Sequence, residues 1–253
     1  MQLKSRRVGE AKRNPPCVSN IKMNKIIPFT IILIFIVSPG RFGETRPEST
    51  CYGTTVKGRL ENGVKLPPKG KNFQTYSLIL SGVGRTYIHN KVHKVVLNAY
   101  KSLEKTHSDK IFVYGETGWK TGGRFKPHKT HQNGLSVDFM TPVVDEKGVS
   151  VPLPTGIFNK YGYGIEFDKQ GHFENLSIDF DAMAAHIKSL HIEAKKAGID
   201  IWRVIFDPGL QPFLYRTKEG KYLRDNIRIS DKKSWVRHDE HYHVDFKVKC
   251  KKL

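Results

Sequence analysis

His238-Asp-Glu-His-Tyr-His-Val-Asp-Phe-Lys-Val248 is the stretch that decides how this 253-residue chain is read. From about His241 to Val248 the residues suit a strand, and in a strand His241 and His243 point to the same face. One of them can then ligate a cation. The other stands just outside, as a proton acceptor or as a donor to developing oxyanion charge.

A second stretch has matching chemistry. His128-Lys-Thr-His-Gln-Asn-Gly-Leu-Ser-Val-Asp138 carries two histidines, a glycine and a carboxylate. Gly134 permits a sharp turn after His131, and a strand from Leu135 to Met140 then sets Ser136 and Asp138 on one face. Leu135, Val137 and Phe139 take the other. The apolar face is expected to pack on the core and the polar face to look into a cleft. If buried there, Asp138 needs a cation or hydrogen-bond donors.

Five of the eleven histidines fall within His128–His131 and His238–His243, ten residues in all. Imidazole and carboxylate are the usual protein ligands of zinc, and two imidazoles with one carboxylate leave a fourth position for water. That is a catalytic rather than a structural arrangement. The alternative is a set of imidazoles bonded to Asp239, Glu240 and Asp245. No His-Glu-x-x-His segment is present.

Working outward, Val92, Val95, Val96, Ala99 and Leu103 recur at helical spacing within Lys91–Thr106. Lys110–Tyr114 reads as a short strand before a glycine-rich stretch. A second helix opens near Ser177 or Asp179 and runs to Ala197, where Gly198 stops it. A strand from Ile199 to Phe206 follows. Residues 141–176 are rich in turns and aromatic side chains and show no clear period. The sum is an α+β fold: a small, mainly antiparallel sheet with flanking helices, in a single domain over residues 47–253.

Residues 1–46 read as a leader. Ile26–Val37 is an apolar run behind Lys22 and Lys25 and ahead of Ser38-Pro39-Gly40, the order of a secretory signal peptide. Met23 would make a more compact start. At twelve residues the run is short for a membrane span, which takes about 20. Membrane contact is expected only through this leader, should it stay attached. Export makes Cys51 and Cys250 candidates for a disulfide joining the two ends of the domain, with two buried thiols as the alternative.

The net charge is +19, and the leader holds nine basic and two acidic residues of it. From Pro47 onward 34 basic residues still face 22 acidic ones, a surface suited to an anionic polymer. No zinc-finger spacing, RNP-type aromatic motif or basic heptad region points to nucleic acid.

Gly122-Gly-Arg-Phe125, His128-x2-His131-Gln-x-Gly-Leu-x-Val-Asp138 and His238-x2-His241-x-His243-Val244 together resemble the penicillin-insensitive murein endopeptidases. These belong to the lysostaphin, D-Ala-D-Ala metallopeptidase and hedgehog-like group. The resemblance implies a periplasmic zinc peptidase that cuts the D-alanyl–diaminopimelyl cross-link of peptidoglycan. Carried over by motif, His131, Asp138 and His243 are the zinc ligands and His241 the base or transition-state stabiliser. His128 and His238 line the cleft, with His238 in a catalytic and His128 in a substrate-binding part. Cys51 and Cys250 stand where the family has cysteines. Asp245 departs from the family pattern, which places an arginine there. A D,D- or L,D-carboxypeptidase or a secreted lysin would use the same ligands, and a zinc-containing wall-binding module is the non-enzymatic alternative.

Four more residues lie near the windows. Arg124 could pair with a substrate carboxylate through its planar fork. Trp119 and Trp235 could wall the cleft, although core packing suits them better. Glu116 reads as a solvated loop carboxylate, with a partner to a ligating imidazole as the other possibility.

Overall fold

The computed structural model describes residues 47–232, 234 and 236–253, so the expected leader and Trp235 lie outside the described residues. The domain is built on a five-stranded sheet. In chain order its strands are β1 (Phe73–Thr75), β2 (Phe112–Tyr114), β3 (Ser136–Met140), β4 (Asp200–Ile205) and β5 (His241–Lys247). Their spatial order is β4-β5-β3-β2-β1, antiparallel throughout except for the parallel pair β1–β2. The fold is α+β, as the sequence leads one to expect.

Two helices cover one face, α1 (Asn90–Thr106) and α2 (Phe180–Lys196). The apolar positions read from the sequence, Val92, Val95, Val96, Ala99 and Leu103, are all buried in α1, and Tyr100 is buried with them. Asp179 caps α2, its side chain accepting from Ala182 N at 2.9 Å, a contact of the kind that contributes about 1 kcal/mol. Lys195 and Lys196 in the last turn complement the helix dipole, and Gly198 ends the run with φ +67°.

The alternation of β3 and β5 divides the protein's chemistry. Val137 and Phe139 of β3, with Tyr242, Val244 and Phe246 of β5, form the buried face beneath the helices. Phe139 meets Tyr100 of α1 and His186 of α2 edge-on, at centroid distances of 6.4 and 4.8 Å. The opposite face carries Ser136 and Asp138, then His241, His243 and Asp245.

Residues 141–176, which lack a period, hold a 3-10 turn at Ile157–Gly162 and most of a second small sheet of four short strands, the last of which runs on to Ile178. The strand at Phe73–Thr75 and the hairpin of Thr50–Gly53 with Gly58–Glu61 also carry no clear signal in the sequence. Cys51 and Cys250 form a disulfide with Cα atoms 4.8 Å apart across 199 residues of sequence. Among the described residues no helix is long and apolar enough to cross a membrane.

Candidate metal centre

The two histidine stretches meet because β3 and β5 are neighbours. In their register Asp138 lies opposite His243, Ser136 opposite Asp245 and Met140 opposite His241. His243 Nδ1 is 2.8 Å from Asp138 Oδ1, and its Nε2 donates to Asp245 Oδ1 at 2.9 Å. His131 enters from the preceding turn, with Nε2 3.2 Å from the same Asp138 Oδ1 and Nδ1 bonded to Thr117 O at 3.2 Å.

This group fits a metal ion. His131 Nε2 is buried and, although it stands 3.2 Å from Asp138 Oδ1, it makes no hydrogen bond among the described residues. Around a tetrahedral ion with bonds of about 2.0–2.1 Å, ligand atoms stand about 3.3 Å apart. The separations of 3.2 and 2.8 Å from Asp138 Oδ1 are close to that. His128, His131 and Asp138 also offer ligand atoms all within 4.8 Å of one another. His128 Nδ1, however, is 3.8 Å from the carboxylate, and its Nε2 is held by Glu116 at 2.5 Å.

Backbone strain marks the same place. Six described non-glycine residues have positive φ, and four of them, His131, Lys160, Tyr161 and His238, belong to the site or its walls. Such conformations persist where the surrounding structure holds them, and they concentrate at functional sites. Gly118 lets the chain pass close by: a Cβ there would stand 2.7 Å from His131 O.

A family model described as penicillin-insensitive murein endopeptidase matches residues 51–252. The chain belongs to that family. A comparison with curated proteins found no match. Family membership makes this chain a peptidase whose substrate is peptidoglycan.

The site opens into a cavity of about 630 Å³ whose lining includes His128, His238, His241 and His243. His241 is oriented by its neighbour: Nδ1 bonds Glu240 Oε1 at 2.8 Å, leaving Nε2 3.8 Å from Asp138 Oδ1. Burial alone would lower the pKa of His241, but Glu240 and Asp138 raise it above its ordinary value. His238 is pushed down to about 4 by burial and by His241, and its Nδ1 is bonded to Val236 O at 2.9 Å. Burial also acts to raise Asp138. The facing histidines outweigh it and hold the carboxyl well below the usual range.

Glu116 is not a solvated loop carboxylate. It is buried, and it accepts from His128, from Tyr76 OH at 2.8 Å and from the Arg85 guanidinium through both oxygens. Burial opposes its charge, but His128 and Arg85 hold it down to about 2. Tyr163 completes the cluster, donating to Asp138 Oδ2 and accepting from Glu116 N, both at 3.0 Å. Sequence reasoning passes over Tyr163, Arg85 and Tyr76, because turns and a distant strand deliver them without any spacing signal.

Arg124 is exposed and does not line the cavity. Trp119 is half-buried against Phe125, with ring centroids 5.1 Å apart, and it too lies off the cavity wall.

Proposed function

We propose that this protein is an exported zinc metallopeptidase that hydrolyses the D-alanyl–diaminopimelyl cross-links of peptidoglycan in the periplasm. The observation that carries this reading is the meeting of His131, Asp138 and His243, of which His243 lines the cavity and the other two are buried behind it, with His241 fixed beside them by Glu240. His131 Nε2, Asp138 Oδ1 and His243 Nδ1 would hold the ion. His128 lies farther from Asp138 and is held by Glu116, so it is assigned to the substrate side. When bound, zinc supplies Lewis acidity toward a carbonyl and lowers the pKa of water.

The chain's own groups do the rest. Asp245 fixes His243 with Nε2 protonated, which turns Nδ1 toward Asp138. Glu240 does the same for His241, so that Nε2 faces the substrate. Because Glu240 and Asp138 favour the protonated form, His241 Nε2–H is suited to donate to the carbonyl oxygen as its charge grows. His238, buried and depressed, stays neutral beside it. In hydrolysis the carbonyl carbon gains oxygen from water, the C–N bond breaks and the leaving nitrogen gains a proton. His241 Nε2 is positioned to transfer it.

Digestion of purified peptidoglycan with and without chelator, followed by zinc restoration and mass spectrometry of the muropeptides, tests this reading. Chelator-sensitive conversion of peptide-linked dimers to monomers is expected. Loss of a terminal D-Ala alone would replace it with a carboxypeptidase. An unchanged digest from a metal-loaded protein would leave a wall-binding role.

A further inference from the structure

Strand β4 carries a bulge. Ile201 pairs with Phe246 and Arg203 with Asp245, so Trp202 is an extra residue on that strand. Such an insertion changes which side chains face the cleft. Without it Trp202 would stand opposite Asp245. With it, Arg203 takes the cleft face, in one rung with Asp245 and Ser136.

Arg203 lines the cavity, and its side chain is 28% exposed. Its Nε donates to Asp245 Oδ2 at 2.7 Å, and its guanidinium lies 4.4 Å from the Trp202 ring centroid. The two terminal Nη groups have no partner among the described residues. The charge is therefore anchored at one edge and on one face, while the planar fork that matches a carboxylate is left over. The two carboxylates that line the cavity are already engaged, Glu116 by Arg85 and His128, and Glu240 by His241.

We infer that Arg203 binds a carboxylate of the peptide substrate, one or two residues from the bond that is cut, and so selects free carboxylates over carboxamides. This rests on the peptidase reading above. Asp245 then has two tasks. One oxygen orients His243 and the other holds Arg203, so a single side chain aligns the metal ligand with the substrate anchor.

The test uses the full chain and two cross-linked muropeptide dimers, one with free carboxylates beside the cross-link and one amidated there. Cleavage of each is followed for the wild type, Arg203→Met and Arg203→Lys. Binding of each is measured on His241→Ala, with and without Arg203→Met, and zinc content is recorded throughout. The wild type is expected to favour the free carboxylate by about 10- to 100-fold, the range of one charge-assisted hydrogen bond. Arg203→Met should erase that preference chiefly through KM, with zinc content unchanged, and Arg203→Lys should restore part of it. Equal loss on both dimers, or a wild type indifferent to amidation, overturns the inference. If neither dimer is cleaved, the murein reading fails, and the binding arm still decides. A carboxylate preference that Arg203→Met removes would keep Arg203 as the anchor, and its absence would overturn both.

Discussion

Asp138 and His243 face each other across adjacent antiparallel strands, with Oδ1 and Nδ1 2.8 Å apart, although 105 residues separate them in sequence. The sheet register brings them together and sets their distance. His243 is further constrained from behind by Asp245. Asp245→Asn should therefore keep the fold but weaken zinc binding by about 10- to 100-fold, as loss of a partner to a ligating imidazole does. Competition against a zinc-binding dye measures this. An affinity equal to wild type would show that Asp245 does not orient the ligand.

His241 and Glu240 should separate turnover from metal binding. His241→Ala is expected to lower kcat by about 10²–10⁴-fold, the usual contribution of a positioned proton-transfer group, while zinc stoichiometry stays at the wild-type level. Glu240→Gln should lower kcat less than His241→Ala does, because an amide oxygen can still accept from His241 Nδ1 while the charge that favours the protonated ring is lost. Steady-state rates and metal analysis on the same preparations check both.

The disulfide should contribute strongly to stability. It closes a loop of 199 residues between Cys51 and Cys250, and restricting so long an unfolded loop contributes about 3–5 kcal/mol. Urea unfolding of a Cys51→Ser, Cys250→Ser protein should show a loss of that order with its histidine site intact. An unchanged midpoint would mean that the hairpin at Thr50–Glu61 and the C-terminal segment hold without the bond.

Acid stability should report on His186, which lies buried under the sheet and away from the cleft. Its ring stacks on Tyr100 at 4.9 Å and bonds Tyr242 OH. Burial pushes its pKa down from 6.5 to about 3. Above pH 6.5 neither the folded nor the unfolded chain protonates it. Between there and about pH 3 only the unfolded chain does, so stability falls as the pH is lowered, by about 1.4 kcal/mol per unit for this one proton. His186→Gln should reduce the slope of unfolding free energy against pH by that amount between pH 6 and 4. An unaltered slope would assign the acid sensitivity to other groups.

Local periodicity alone determined much of this protein. The helix Asn90–Thr106, the capped helix Phe180–Lys196 and the cleft-facing sets Ser136/Asp138 and His241/His243 follow from spacing, because each element's side-chain period is set by its own backbone. The histidine and carboxylate chemistry was equally legible, since ligand types concentrated in two short stretches. Only the tertiary structure decided the rest. Glu116 becomes a buried, paired carboxylate because Arg85, Tyr76 and His128 converge on it from three separate segments. Tyr163 reaches Asp138 from a turn without a repeating pattern. Arg203, rather than the exposed Arg124, lines the cavity because one inserted residue shifts β4 against β5. Long-range register and loop placement depend on packing between distant segments, so no local run of residues encodes them.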